Sequence, residues 1–469
     1  MIKEIKWNNY NILGNLTLKF TKTDVSQNGN QDGSQNESPY DTIILAGENG
    51  TGKTTILDTL SIFLNGGSIL PFDYIDYNVG SDTFHITPDT NDTNSAIQGF
   101  HSRKNLANGN EIRIQSNRYN QPDRIEQDLE DIRHYGFAYS KARSGFNTKP
   151  VKSTTTQQVD KDKYEPDDQE DFTRIKQLLI DIDGQDSSYW KQHCNNMMKN
   201  NQDINEQAFK TFKEQSIMHR FEKAFNEFFE TIKYSEIDDT NISEKKILFQ
   251  KHGHKISIDQ LSTGEKQIVF RGAHLLRNMN NISGGIVLID EPELSMHPIW
   301  QRKILNYYRR LFTNNGKQEV QMLIATHSEY VIQSALEDRD NVLVIVLTDD
   351  NGTTKSEAIT APNVLPTITA AETNYLAFGV ASTDYHIELY GYLQTKTMNH
   401  HIKSCDAYIA GQSQYDTTKH EKIDNSFQNQ SYKTLPTYIR NAIDHPNSNR
   451  SYTYEELKTS IELLRELCK

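Results

Sequence analysis

Cysteine is scarce in this 469-residue chain. Cys194, Cys405 and Cys468 are odd in number and far apart, which excludes a disulfide framework and any zinc-binding spacing. They read as unpaired thiols. Long apolar runs are missing too. No window approaches the ~18 consecutive apolar residues of a spanning helix, and the opening MIKEIKWNNYNILG has no apolar core followed by a small-residue cleavage site. The expectation is a cytoplasmic protein without membrane span or secretory signal. Apolar residues make up 35%, about 40% once the 24 glycines are counted, so polar insertions are expected around an ordinary core. Positive charge is also short. The 50 Lys+Arg against 63 Asp+Glu leave a net charge of −13, which argues against a surface that binds nucleic acid everywhere. A local basic patch, or a groove between subunits, remains open. The length suffices for two or three domains.

What is present has a clear order. Ile2, Ile5 and Trp7, then Leu13, Leu16, Leu18 and Phe20, alternate at the period of strands, with a turn at 8–14 between them. Thr42-Ile43-Ile44-Leu45-Ala46 is a continuous apolar run ending at glycine, the mark of a strand buried on both faces of a parallel sheet. Ile286-Val287-Leu288-Ile289 and Met322-Leu323-Ile324-Ala325 repeat that mark. Trp300, Ile304, Tyr308 and Leu311 between them share one helical face, giving a strand–helix–strand unit. Val342 to Leu347 is expected to close the sheet before the turn Asp349-Asp350-Asn351-Gly352. Residues 27–38 and 151–171 have linker composition and are expected to be solvated excursions. From 64 to 135 only weak strand signals are visible, such as Glu111-Ile112-Arg113-Ile114. Helical spacing links Ile175, Leu178, Leu179 and Ile182, then Phe209, Phe212, Ile217, Phe221, Phe225, Phe228 and Ile232. A helical insertion at about 64–250, its aromatic stripe forming core, is the expectation. The last hundred residues read as helices, ending in one through Leu457, Ile461, Leu464 and Leu467. The fold class is α/β: a parallel sheet with N-terminal antiparallel strands over 1–365, and a helical C-terminal domain over 366–469.

Chemistry enters at Gly47-Glu48-Asn49-Gly50-Thr51-Gly52-Lys53-Thr54, which fits G-x-x-x-x-G-K-[ST] between a buried strand and the helical run Ile56, Leu57, Leu60, Phe63. Glycines let backbone N–H groups turn inward around phosphate, the helix N-terminus adds positive potential, and Lys53 reaches the β- and γ-phosphates. Asn49, Gly50, Gly52, Lys53, Thr54 and Thr55 are thus candidate ATP contacts, with the Thr54 hydroxyl a ligand for Mg²⁺. The strand Ile286–Ile289 delivers Asp290 and Glu291 at its carboxyl end, where α/β sheets place their ligands. Asp290 is expected to hold Mg²⁺ and Glu291 to polarise the attacking water, although such a pair alone could equally cap a helix. Leu261-Ser262-Thr263-Gly264-Glu265 reads as a capping box with Ser262 at the N-cap and Glu265 at N3, and also as a clamp for a γ-phosphate. His327, just beyond its strand, sits where a γ-phosphate sensor is needed.

These motifs in this order resemble an ABC-type ATPase head of the SMC/RecF-like class: Walker A at 47–54, signature at 261–265, Walker B at 286–291, D-loop at 293–298 and H-switch at His327. The wording IDEPELSMHP and IATHSEYVI is especially similar to the soluble heads of OLD-type and anti-phage defence ATPases. The resemblance covers residues 1–60 and 250–347. It implies a head-to-head dimer or higher oligomer in which Ser262 and Gly264, with Glu265, close over the ATP of the partner head. The 209 residues between Lys53 and Ser262 are too few for SMC-type coiled-coil arms, and no sustained heptads are visible. The Q-loop glutamine has no match; the segment 136–143, where it is expected, contains none. Residues 371–390 look like the tail of the PtuA-type ATPases of Septu and retron-associated defence systems. That likeness implies a separate HNH nuclease of the PtuB type as partner, a retron reverse transcriptase with its ncDNA as further partners, and no membrane.

Two other readings compete. Arg440-Asn441-Ala442-Ile443-Asp444-His445 fits the R-x₄₋₆-H pattern of HEPN ribonucleases, in which His445 would take the 2′-OH proton and Arg440 steady the phosphorane. The composition yields an Arg-to-His pair at such spacings about once or twice by chance, so the bare motif is weak, and a helix end stopped by Pro446 explains it as well. A RecF-like DNA-binding head would need a basic groove, for which Arg103, Lys104, Arg113, Arg118 and Arg124 are the candidates.

Overall fold

The continuous apolar runs of the sequence lie side by side. In a computed structural model, which describes residues 1–23, 37–89, 100–115, 122–142, 164–165, 172–214, 216–240, 244–277, 283–314, 316–427, 430–446 and 450–469, they form the centre of a seven-stranded sheet. Its order is Tyr164–Glu165, Phe137–Ser140, Ile286–Asp290, Gln321–Thr326, Thr42–Gly47, Val342–Asp350 and Thr353–Ala358. The first six are parallel, with Ile44 opposite both Ile324 and Val344. Every residue of Thr42–Gly47 is buried, as a central strand covered on both faces requires.

A second sheet is antiparallel and six-stranded: Thr17–Lys19, Ile2–Trp7, Phe72–Val79, Asp82–Pro88, Phe100–Asn105 and Glu111–Gln115. The helix Lys53–Leu64 buries Ile56, Leu57, Leu60, Phe63 and Leu64 in the core shared by both sheets. Trp7, Phe63 and Phe72 pack there, and each such side chain contributes about 1.5–3 kcal/mol of burial free energy. The indole of Trp7 donates to the Thr59 hydroxyl at 3.1 Å. Gln321, fully buried, accepts from Ile2 N at 2.6 Å and donates to Ile2 O and Tyr40 O at 2.9 and 3.0 Å, tying the N-terminal strand to the parallel sheet.

By its internal contacts the chain divides into two units, Met1–Ser356 and Glu357–Lys469. The second has its own core, with Tyr385, Leu389, Leu393, Cys405, Ile409, Ile439, Ile461 and Leu464 at its centre. Among the described residues no helix is long and apolar enough to cross a membrane. All three cysteines are free.

Several expectations need correction. The stretch 64–135, where the sequence shows only weak strand signals, is strand-rich and contributes four strands of the antiparallel sheet, followed by the short helix Pro122–Gln127; the longer helices of the insertion lie from Phe172 onward. There the helix Phe172–Lys199 is followed by Glu206–Lys213, which buries no residue: Phe209 is 45% exposed and is not core. Phe221, Phe225 and Phe228 are core, on Ile217–Phe228, but Ile232 opens the strand Ile232–Asp238. The sheet does not close at Leu347. Val342–Asp350 runs on and turns through Asn351 (φ 53) and Gly352 (φ 85) into the edge strand Thr353–Ala358, the left-handed pair typical of a two-residue hairpin turn. The C-terminal unit, otherwise helical, holds a hairpin of Glu421–Phe427 with Gln430–Thr434. The expected excursions at 27–38 and 151–171 lie largely outside the described residues, apart from Glu37–Pro39, which pairs with Thr21–Thr23, and Tyr164–Glu165.

Candidate nucleotide site

The strand Thr42–Gly47 stops at a loop whose backbone only glycine tolerates. Gly50 and Gly52 have φ of 82° and 90°, and a Cβ on Gly52 would lie 2.6 Å from Leu13 Cδ2. Gly52 then caps Lys53–Leu64, so the helix N-terminus opens directly onto the loop. The Lys53 ammonium, 5% exposed, donates to Gly47 O at 2.8 Å and Glu48 O at 2.7 Å. Burial lowers its pKa to about 8, against the opposing pull of Asp290, Glu291, Glu293 and Glu48. The loop is braced from the sheet edge: Thr354 Oγ1 donates to Thr51 O at 3.0 Å. Asn49, Gly50 and Thr54 are exposed, and Thr55 is half-buried.

The second carboxylate motif reaches the same place. Thr54 Oγ1 donates to Asp290 Oδ2 at 3.0 Å, joining two motifs 236 residues apart. The Asp290 pKa is raised, chiefly by burial and also by Glu291 and Asp58, while the Thr54 hydrogen bond and Arg271 oppose the shift. A dication at this pole would stabilise the charged form. Glu291 has φ of 45° and donates its N–H to Ala325 O at 2.9 Å. A left-handed non-glycine residue costs on the order of 1 kcal/mol and is held only where its surroundings dictate it. Its carboxylate lies 3.5 Å from His327 Nε2. Burial lowers the His327 pKa, the nearby Lys53 lowers it further, and Glu291 and a backbone bond to Gly47 act the other way.

Two residues organise this pole: Glu293, which the sequence places at the start of the D-loop without a contact, and Arg271, which it leaves unassigned. Glu293, 9% exposed, accepts through Oε1 from Thr326 Oγ1 at 2.8 Å and from His327 N at 2.7 Å, so it fixes the segment that carries the histidine. Arg271, on the helix Thr263–Leu276, donates to Asp290 O at 2.9 Å, to Lys141 O at 3.0 Å and to Gln267 Oε1 at 3.0 Å. It links the signature helix to the Walker B strand and to the end of Phe137–Ser140. Lys141, directly after that strand, pairs with Asp58 at 3.2 Å; Arg143 lies outside the described residues. An arginine amid the apolar positions Ile268, Val269, Ala273 and Leu276 was a usable signal for Arg271. Nothing local marks Glu293, whose partners are 33 and 34 residues away.

The signature residues form the N-terminus of Thr263–Leu276 with Ser262 as N-cap and a full capping box. Both Glu265 oxygens are engaged, Oε2 by Ser262 N and Oε1 by the Lys251 ammonium, each at 2.8 Å. Gly264 packs closely: a Cβ there would meet Ser295 O at 2.8 Å and the Trp300 ring at 3.1 Å. Ser262 is exposed, and among the described residues no hydrogen bond joins Ser262 or Gly264 to the P-loop of the same chain. The structure thus brings Lys53, Thr54, Asp290, Glu291 and His327 together, while of the signature set Ser262 is exposed and Gly264 and Glu265 are buried.

The remaining candidates are elsewhere. Arg440 and His445 belong to the second unit, on and just beyond the helix Leu435–Asp444, with Arg440 paired to Asp444 at 2.6 Å and His445 exposed. The basic groove expected of the insertion is not built by its arginines. Arg103 is buried and paired with Asp128 at 2.9 Å and Glu130 at 2.8 Å, and Arg113 pairs with Asp89. Lys104 is exposed; Arg118 and the side chain of Arg124 lie outside the described residues.

A phosphate loop whose threonine meets a strand-end aspartate, beside a glutamate and a switch histidine, defines an ATPase head of the SMC/RecF-like ABC type. The chain belongs to the family described as "AAA domain, putative AbiEii toxin, Type IV TA system", whose model it matches over residues 43–333. It is 30% identical over 157 residues to "Retron Vc95 probable ATPase" of Vibrio cholerae serotype O1 biovar El Tor, a match covering 31% of this chain and 28% of that protein. It is 32% identical over 108 residues to "Retron Ec83 probable ATPase" of Escherichia coli, covering 21% and 19%. The matches therefore span less than a third of either relative. Among solved structures it is similar to the SMC head domain from Thermotoga maritima, at 13% identity and a TM-score of 0.38 over 77% of this chain and 99% of that one. The Pyrococcus furiosus Smc head with an extended coiled coil, bound to the C-terminal domain of ScpA, gives 13% and 0.38 over 76% and 96%.

Proposed function

We propose that this chain binds and hydrolyses ATP between paired heads and uses that cycle to regulate a separate nuclease in a bacterial anti-phage system. The observation that carries the proposal is the Thr54–Asp290 contact at 3.0 Å beside the Glu291–His327 pair at 3.5 Å. The P-loop amides and Lys53 hold the phosphates. The Thr54 hydroxyl and the Asp290 carboxylate are the hard oxygen donors that Mg²⁺ accepts, and Mg²⁺ bound there would neutralise charge on the β- and γ-oxygens. Glu291 accepts a proton from the attacking water, and His327, kept neutral by burial, donates an N–H to the γ-phosphate. Ser262 and the first-turn amides behind Gly264 serve the ATP of a second head, which fits the exposure of Ser262.

The retron names of the two relatives support a role in a retron-type system. Within this proposal the regulated partner is an HNH nuclease, with a reverse transcriptase and its ncDNA upstream. The test is Glu291→Gln in the full chain. Hydrolysis is expected to fall about 100-fold or more while ATP is retained and light scattering reports a dimer. Undiminished hydrolysis overturns the assignment. The nuclease clause is tested by offering tRNA and plasmid to the chain alone with ATP and Mg²⁺: no cleavage is expected, and cleavage lost in Arg440→Ala and His445→Ala would replace the regulator by a ribonuclease.

A further inference from the structure

The second unit contains a cleft of about 890 Å³, within the range of small-ligand sites, lined in part by His400, His401, Lys403, Ser404 and Arg440. In a chain of net charge −13, none of its lining residues is acidic. The first turn of the helix Ile402–Ala410, which no side chain caps, lines the cleft through Ile402, Lys403 and Ser404. Arg440 lines it too. Its guanidinium is held by Asp444 at 2.6 Å and by Asn441 Oδ1 at 3.2 Å, and Asn441 is itself buried and bonded to Asp424 at 3.3 Å. Those two bonds use two of the five N–H donors of arginine and fix the plane of the rest, the arrangement that suits a tetrahedral oxyanion. His445 is not among the residues that line the cleft.

We infer that this cleft binds a phosphate ester through Arg440 and Lys403, with His400 and His401 as further donors among its lining residues. The chemistry is shared by a mononucleotide and by the backbone of a single strand, and both are offered in the test. It does not rest on the ATPase reading, because no residue of the P-loop takes part.

The probes are a labelled single-stranded 12-mer without terminal phosphate and 5′-AMP, titrated into the full chain at about 50 and 200 mM salt, with Lys53→Ala as the background so that the P-loop does not compete. Lys403→Gln, at an exposed position, and Arg440→Gln are each expected to weaken binding about three- to tenfold and to reduce the salt slope by about 0.7 per lost contact. Affinity that grows from AMP to the 12-mer assigns the site to a strand; equal affinity assigns it to a small phosphate ester. The inference is overturned if the Lys403→Gln/Arg440→Gln double variant, folded by circular dichroism, binds both probes as its parent does. It is equally overturned if the parent binds neither at the lower salt.

Discussion

Glu293 offers the sharpest test of how the site is held. Its Oε1 receives the Thr326 hydroxyl and the His327 amide at 2.8 and 2.7 Å, and Thr326 is fully buried. Glu293→Ala leaves both donors without an acceptor, at about 1–3 kcal/mol each. Part of that is returned, because the substitution also removes a carboxylate whose other oxygen has no partner among the described residues. A net loss of about 2 kcal/mol is expected, together with a rate reduced about tenfold as His327 loses its anchor. Glu293→Gln keeps the accepting oxygen and should stay within about 1 kcal/mol of the parent. The pH dependence separates the two. Burial raises the Glu293 pKa above 4.5, so the folded state prefers the protonated acid. Its contribution is complete below 4.5 and is lost as pH rises towards the folded pKa, and Glu293→Gln removes that decline. Urea unfolding from pH 4 to 8 and ATP hydrolysis at pH 7.5 measure both effects. An alanine variant with the parent's midpoint and rate would refute the anchor.

Two further outcomes follow from contacts already described. Gly264→Ala places a methyl 2.8 Å from Ser295 O and 3.1 Å from Trp300, so about 1–3 kcal/mol of overpacking is expected. ATP affinity of the isolated head should be unchanged in this variant, by fluorescent-nucleotide titration, while dimer-dependent hydrolysis falls more than about tenfold; equal losses in both would deny a role in trans. His386 in the second unit is fully buried, with Nε2 on Ser460 Oγ at 2.9 Å, and burial lowers its pKa to about 3. Its contribution is therefore present above pH 6.5 and lost as pH falls from 6.5 towards 3, at about 1.4 kcal/mol per pH unit. His386→Gln should flatten the acid limb of the unfolding midpoint, and an unaltered slope would contradict this.

How much of this was legible in the sequence depended on how local each cause is. The phosphate loop is written within eight residues, because strand, glycines and helix start are contiguous. Asp290 and Glu291 are legible for the same reason. The strands of 72–115 were hidden, although their alternation is intact: Phe72, Ile75 and Tyr77 are buried along one, Phe84 and Ile86 along the next. On Phe100–Asn105 the buried positions are His101, Arg103 and Asn105, at 2, 3 and 6% exposure, so the period of two is carried by polar residues. Their partners, such as Asp128 and Glu130 for Arg103, lie on a later segment that no local pattern announces. The C-terminal hairpin hides likewise behind Asp424, which is buried and paired with Arg450 at 2.8 Å.

The same accounting separates the buried arginines of the fold from its glycine loop. Arg103 and Arg133 are consumed by carboxylates inside the fold, and Arg271 by backbone carbonyls; all three are buried. A cation so placed contributes structure and little outward field, because its charge is matched within about 3 Å. What the first unit offers a phosphate is therefore the loop amides, freed by glycine, and one lysine held by carbonyls of its own loop, whose lowered pKa records how far burial has gone. A phosphate drawing close to Lys53 supplies the counter-charge that burial withholds, and so favours the ammonium that binds it. Affinity at such a site comes from preorganised dipoles more than from net charge, which is why a chain of charge −13 is compatible with a polyanionic substrate.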